Sequence, residues 1–329
     1  MHVHITTLLA TAMLICIAFL YHNTQPCLEC RCLVPECPQV VVDKHITVIA
    51  EPVATAVIAP SEEITEMVMM VPIPAAWKER QERVAKAFLL QKFERKQAIM
   101  VFVMGTRLGT NLETENIDAL SIERIAGVNY CMVACRDHGE NFNSDDNTAS
   151  MACKVYEGFK YIASNYKARY VWRSDSDSYL NIKLFLNTMA PTLPTSRLFM
   201  GRLRRPTLAD TDLLLAPQPV LHGLFGLYQF GHYMSGMGFM LTWDVIEFIA
   251  SMSIPPRMNW CDDVLVSMWL MPLQIQFVDV NSMQDYVMFG SEERAHYAHT
   301  RKNVLLVHYM RQHDWENIDP VTGVLRFYD

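Results

Sequence analysis

The sequence has no surplus of positive charge: 28 Lys and Arg stand against 35 Asp and Glu, a net charge of −7. That balance removes the electrostatic case for a nucleic-acid partner, and it favours a cation-assisted site over a phosphate site built from basic residues. No Asn-x-Ser/Thr triplet occurs, so N-glycosylation supplies no argument for a lumenal location. Lys and Arg are absent before Arg31, which leaves the positive-inside rule little to count. Charge is also missing from Ile5 to Tyr21, "ITTLLATAMLICIAFLY". At 1.5 Å per residue this makes about 25 Å of helix, the short end of a membrane crossing. Thin early-secretory membranes accept that length better than a plasma membrane. A cleaved signal peptide and a buried core helix are the competing readings. The following "HNTQPC" has no small-x-small cleavage pattern, so an uncleaved anchor is expected.

What is present marks a folding chain. Half of the 329 residues are hydrophobic (51%) and about a fifth are charged (19%), enough for one large or two medium domains. Cys27, Cys30, Cys32 and Cys37 cluster in "CLECRCLVPEC". A zinc knuckle is disfavoured by the Cys-x-Cys step and by the lack of a downstream Cys or His pair. Disulfides, including bridges between chains, are the expectation there. Cys131, Cys135, Cys153 and Cys261 lie further on, and spacing alone does not pair them. Residues 22 to about 76 carry Pro26, Pro35, Pro38, Pro52, Pro60, Pro72 and Pro74. Such a density interrupts helices and central strands alike and reads as a stem or spacer, although its Val-rich residues 40–60 have the composition of a short strand.

Regular patterning starts near Trp77. "WKERQERVAKAFLLQKF" predicts a charged amphipathic helix, and "AIMVFVMG" (98–105) a buried strand. Met151, Val155, Phe159 and Ile162 recur at helical spacing. Strands are expected at 170–173, 274–280 and 304–309, with a helix at 244–252 that ends before Pro255-Pro256. Helices alternating with apolar strands predict an α/β fold with a mostly parallel central sheet flanked by helices. In such sheets ligands sit beyond the carboxyl ends of strands.

Four stretches carry candidate chemistry. "YVWRSDSDSYLN" (170–181) ends an aromatic and β-branched run with Asp175 and Asp177. Two nearby carboxylates repel and need water, a cation or a positive partner; a solvated turn is the bland alternative. "YMSGMGFMLTWD" (233–244) places Gly236 and Gly238 ahead of a helix, either for close backbone approach to a ligand or simply as a turn. "NWCDDVLVSMWL" (259–270) puts Asp262 and Asp263 at the start of an apolar helix, where acids also occur for dipole reasons alone. "NVLLVHYM" (303–310) ends a strand with His308, a residue type that ligates metals but more often serves structure.

In this order the stretches resemble glycosyltransferase family 31, the β-1,3-galactosyl- and N-acetylglucosaminyltransferases and fringe. The family's Asp-Asp-Asp-x-Phe-x-Asn is similar to "DSDSYLN" at Asp175, Asp177, Tyr179 and Asn181. Its Tyr-x-Ser-Gly-x-Gly-Tyr is similar to "YMSGMGF", its Glu/Asp-Asp-Val to Asp262-Asp263-Val264, and its C-terminal histidine to His308. The resemblance runs from about Trp77 to the C-terminus. It departs at Ser176, which replaces the central acid, and at Ser267, which replaces a glycine. "ERVAKAFL" matches the family's early Arg and Thr-Trp segment only loosely. The resemblance implies a GT-A type nucleotide-sugar transferase fold at 77–329, preceded by a short cytosolic tail (1–4), a signal-anchor (5–21) and a stem (22–76). It implies a type II Golgi membrane protein. It also implies inverting transfer of Gal or GlcNAc from a UDP-sugar to a glycan hydroxyl, forming a β-1,3 linkage. Asp177 is then the main ligand of Mn²⁺ or Mg²⁺, with Asp175 and His308 beside it. Asp263 is the base and Asp262 a donor-side contact, while Arg173, Ser235, Gly236, Gly238 and Trp260 bind donor or acceptor. Stem cysteines would link a homodimer.

Three rivals remain in view. A haloacid-dehalogenase-type phosphatase also uses Asp-x-Asp after a strand, but Arg173-Ser174 break the apolar run here. An EF-hand-like calcium site fails because Leu180 stands where glycine is needed. A non-catalytic Golgi or ER module with the same fold is the third, since a fold does not guarantee activity.

Overall fold

"TEMVMMVP" (Thr65–Pro72) forms β1, an interior strand of the main sheet. In the computed structural model the described residues are 64–94, 97–106, 124–137, 145–204, 231–256, 261–290, 293 and 303–326. The apolar segment at 5–21, the cysteine cluster and Trp260 lie outside them. Contacts divide the chain into Met1–Ala54 and Thr55–Asp329, and all described residues belong to the second unit.

β1 pairs in parallel with β2 (Ala98–Thr106) on one side and β4 (Ala168–Ser174) on the other. β3 (Asn129–Arg136) continues the parallel run beyond β2. On the far side β7 (Tyr233–Thr242) lies antiparallel to both β4 and β6 (Leu198–Arg204), and β8 (Gln276–Asp279) closes the edge parallel to β6. The order is β3-β2-β1-β4-β7-β6-β8, a mostly parallel sheet as expected.

The place of β1 differs from the reading of residues 22–76 as stem. Pro72 is the last residue of the strand and Pro74 follows it, so these prolines terminate the strand and cost it no interior hydrogen bond. Met67, Met69 and Val71 face one core while Val68 and Met70 face the other. A strand covered on both faces is apolar throughout and shows no alternation. The first core is completed by Val84, Ala85 and Phe88 of α1 (Lys78–Leu90) and by Ile182, Phe185 and Met189 of the helical stretch at 182–189. The second takes Val155, Phe159 and Ile162 from α2 (Asp145–Asn165), Val245, Ile246 and Ile249 from α3 (Trp243–Ala250), and Leu265 and Val266 from α4 (Asp262–Trp269). Among the described residues no helix is long and apolar enough to cross a membrane.

A second, three-stranded sheet sets up the site. β5 (Tyr179–Leu180) pairs antiparallel with β10 (Asn303–His308), which runs parallel to β9 (Tyr286–Gly290). Facing Leu180 with Leu306 and Tyr179 with Val307 brings His308 beside the turn ahead of β5. Buried polar groups lock that register. The Gln91 amide donates to Leu180 O (2.8 Å) and accepts from Ile182 N–H (2.7 Å). Tyr179 OH donates to Gly323 O (2.8 Å) and accepts from Leu325 N–H (3.2 Å). Asn181 caps the following helical turn through Leu184 N–H (3.0 Å), so the aromatic and the asparagine of "DSDSYLN" serve its placement.

Candidate active site

β4 carries an apolar run to Trp172 and then turns polar at the carboxyl edge of the sheet. Residues on this strand alternate faces, Tyr170 and Trp172 toward the first core and Val171 toward the second. Arg173 therefore points to the side of α4. The turn that follows presents Asp175 and Asp177, each partly exposed.

The structure brings Asp175, Asp177 and His308 together, with one ligand atom from each within 4.8 Å of the others. His308 Nδ1 lies 3.2 Å from Asp177 Oδ1 and 2.9 Å from Ser178 Oγ, while Nε2 lies 3.8 Å from Asp175 Oδ2. Ser178 spends its proton on Met237 O (2.7 Å). Its oxygen is left to accept from the imidazole, which assigns the proton to Nδ1 and leaves the Nε2 lone pair on the Asp175 side. Two carboxylates and an oriented imidazole form a donor set that fits a divalent cation. Burial pushes the Asp175 carboxyl up, against the charges of Arg173 and His308. Burial acts the same way on Asp177, but the hydrogen bond and charge of His308 outweigh it and hold that carboxyl below its usual range. Burial would lower the His308 imidazole; the two aspartates overcome it and raise it.

A second acidic pair sits in the first turn of α4. Asp262 is buried and its Oδ2 lies 2.7 Å from Arg173 Nη2. Asp263 is less covered; its Oδ2 accepts from Gly236 N–H (3.0 Å) and its Oδ1 from Val264 N–H (2.8 Å). Burial first, and Asp262 second, push the Asp263 carboxyl up to about 6. Asp262 is raised by burial against the pull of Arg173. A helix N-terminus alone would lower both; desolvation prevails.

Other expected contacts fall differently. Arg173, expected to touch donor or acceptor, is 1% exposed and taken up by Asp175 Oδ1 (2.6 Å), Asp262 and the Gly236 carbonyl. Gly238, expected to admit a ligand, admits other parts of the chain: a Cβ there would lie 2.6 Å from Leu306 Cδ1 and 3.0 Å from Trp172 Nε1. Gly236 does approach the site, since a Cβ would lie 3.2 Å from Asp263 Oδ2. Ser235 is half-buried beside it on β7. Ser267 donates to Asp263 O (3.3 Å), an ordinary use of a helical serine. Cys135 and Cys153 form a disulfide; Cys131 and Cys261 are free, their thiols pushed up to about 12 by burial.

Two neighbours of the site were not anticipated from sequence. Ser178 sits inside the motif and orients His308. Arg80 of α1 lies over the Trp77 ring (4.3 Å) with Nη1 3.5 Å from Ser176 Oγ. Its signal was the Trp-x-x-Arg spacing, which stacks the two side chains on one helix face.

Residues 75–281, more than half of the chain, match the family model described as Galactosyltransferase. No curated protein matches the chain in sequence. Among solved structures, the chain is similar to the WbbM bifunctional glycosyltransferase in its apo form, at 9% identity and a TM-score of 0.42. That similarity covers 76% of this chain and 46% of that one, so the chain spans less than half of the WbbM chain. It is also similar to a glycosyltransferase involved in glycosylation of the major capsid of PBCV-1, at 11% identity and a TM-score of 0.36, covering 74% of this chain and 92% of that one.

Proposed function

Because the chain belongs to the galactosyltransferase family, we propose that it moves Gal or GlcNAc from a UDP-sugar to a glycan hydroxyl, with inversion, forming a β-1,3 linkage. One observation carries this reading. A group that could hold a cation (Asp175, Asp177, His308) and a second pair of carboxylates (Asp262, Asp263) meet at one edge of the sheet, joined through Arg173. Transfer needs two such groups, one at the departing diphosphate and one at the attacking hydroxyl.

Asp177, Asp175 and His308 Nε2 would hold Mn²⁺ or Mg²⁺, the imidazole favouring Mn²⁺. Such a cation supplies charge neutralisation to a leaving diphosphate. On the opposite side Asp263 takes the proton of the acceptor hydroxyl as its oxygen bonds to the anomeric carbon. The bond from that carbon to UDP breaks with its electron pair leaving on the diphosphate. An α-linked donor thus gives a β-product. A carboxyl near 6 is well matched to this work at neutral pH. The Gly236 and Val264 N–H groups hold the Asp263 carboxylate in place.

We place the chain in the Golgi membrane as a single-pass type II protein, anchored at 5–21. The Cys135–Cys153 disulfide supports an oxidising compartment. The test of the whole reading is a UDP-sugar panel with the full-length chain. One UDP-hexose should be consumed in the presence of Mn²⁺, and Asp177→Ala should abolish both turnover and Mn²⁺-dependent UDP binding. Equal UDP affinity for both proteins, with and without Mn²⁺, would sink it.

A further inference from the structure

Arg173 has no route to a ligand, yet it is the one cation among the described residues that contacts both acidic groups of the site. It contacts three segments distant in sequence: it donates to the Gly236 carbonyl on β7 and is ion-paired with Asp175 after β4 and with Asp262 at the start of α4. The guanidinium carbon lies 5.7 Å over the Phe239 ring, which closes the side facing the second core. Buried ion pairs are a poor means of stabilising a fold, because desolvation consumes most of their attraction. What a planar guanidinium does well is fix the relative placement of two carboxylates, since its donors form a rigid fork.

We propose that Arg173 is a positioning residue that acts through Asp175 and Asp262 to hold the cation-binding turn and the base-bearing end of α4 in one fixed relation. The proposal rests on the reading of the site given above. Asp175 faces His308 Nε2 through Oδ2 (3.8 Å), where it would hold the cation, and is held by Arg173 Nη1 through Oδ1 (2.6 Å). Asp262 precedes the base Asp263 in the chain, so the Nη2 contact sets where the first turn of α4 begins. Lysine at this position keeps the charge but offers a single point of donation, and it cannot span the same two carboxylates.

The experiment uses the full-length chain and the variants Arg173→Lys and Arg173→Met, each alone and combined with Asp262→Asn. It reads kcat and KM for the UDP-sugar, and Mn²⁺ affinity without nucleotide by electron paramagnetic resonance. Arg173→Lys should fold as judged by circular dichroism, bind Mn²⁺ about 10-fold more weakly, and keep KM within about three-fold while kcat falls by about 10²-fold. Adding Asp262→Asn to Arg173→Lys should cost less than the product of the single effects, because both act through one contact. If Arg173→Met fails to fold, Arg173→Lys still decides. Recovery of wild-type kcat and Mn²⁺ affinity by lysine, or fully multiplicative effects in the double variant, overturns the proposal and leaves the transferase reading standing. A wild type that binds Mn²⁺ but consumes no UDP-sugar overturns the transferase reading, and the Mn²⁺ affinity of Arg173→Lys then decides the proposal alone. A wild type that does neither overturns both.

Discussion

Asp262 and Asp263 are neighbours in the chain with opposite surroundings. Asp262 faces a buried guanidinium; Asp263 faces two backbone N–H groups near the surface. Burial and Asp262 raise the Asp263 carboxyl to about 6, and a base works only when deprotonated. In the proposed mechanism kcat/KM should therefore rise with pH through about 6 and level off above it. Asp263→Asn should remove that rise, lower transfer by at least about 10²-fold and leave UDP affinity within a few-fold. A rise near 6 that persists in the variant would remove Asp263 from the base role. The two glycines of β7 separate packing from chemistry in the same way. Alanine at 236 puts a methyl 3.2 Å from Asp263 Oδ2, and alanine at 238 puts one 2.6 Å from Leu306 Cδ1. Gly236→Ala should lower kcat with little change in Tm. Gly238→Ala overpacks the join between β7 and the second sheet and should lose about 1–3 kcal/mol of stability. Paired melting curves and rate measurements check this, and the reverse pattern contradicts it.

At the scale of elements, β1 decides where the folded unit begins. Its residues Met67 to Val71 are buried on both faces, and it pairs with two strands. A chain starting at Trp77 lacks this interior strand and should show no cooperative unfolding transition, whereas one starting at Thr55 should show one. Circular dichroism melts of the two fragments decide it; a cooperative melt from Trp77 would refute the role given to β1. The elements legible in the sequence were those with one clear pattern. The helix expected at 77–93 is Lys78–Leu90, that at 244–252 is Trp243–Ala250, and the strand expected at 304–309 is Asn303–His308. β1 is masked in the sequence because Pro72 and Pro74 at its end make its apolar run resemble the Pro-rich residues before it. β5 has two residues, too few for any period to show. Asp175, Asp177, Asp262, Asp263 and His308 were all legible as residue types in motifs. That His308 joins Asp175 and Asp177 was expected only from the family resemblance; no local pattern shows it, because it depends on the β5–β10 pairing. The burial of Arg173 was hidden too: it follows from strand parity and from where α4 packs, which are properties of the assembled sheet.

For the whole molecule, the consequence is a coupling between occupancy and stability. Four carboxylates from two segments gather at one edge, with the buried Arg173 between the two pairs and His308 beside the first pair. Without a divalent ion, the Asp175 carboxylate is buried beside Asp177 in the folded chain and is far better solvated in the unfolded one. A ligand that binds only the folded state adds stability of RT ln(1 + [L]/Kd), about 2.7 kcal/mol at one hundred times its Kd. For a domain of this size each kcal/mol raises Tm by roughly 2–4 °C, so saturating Mn²⁺ with UDP should raise Tm by about 5–10 °C. Chelation should reverse the rise, and Asp177→Ala, which removes the main proposed ligand, should abolish it while leaving the metal-free Tm within a few degrees. Differential scanning calorimetry of the two proteins, with and without Mn²⁺ and UDP, reads all of these. An equal rise in Asp177→Ala would show that the ion binds elsewhere, and the assignment of the cation to Asp175, Asp177 and His308 would fall.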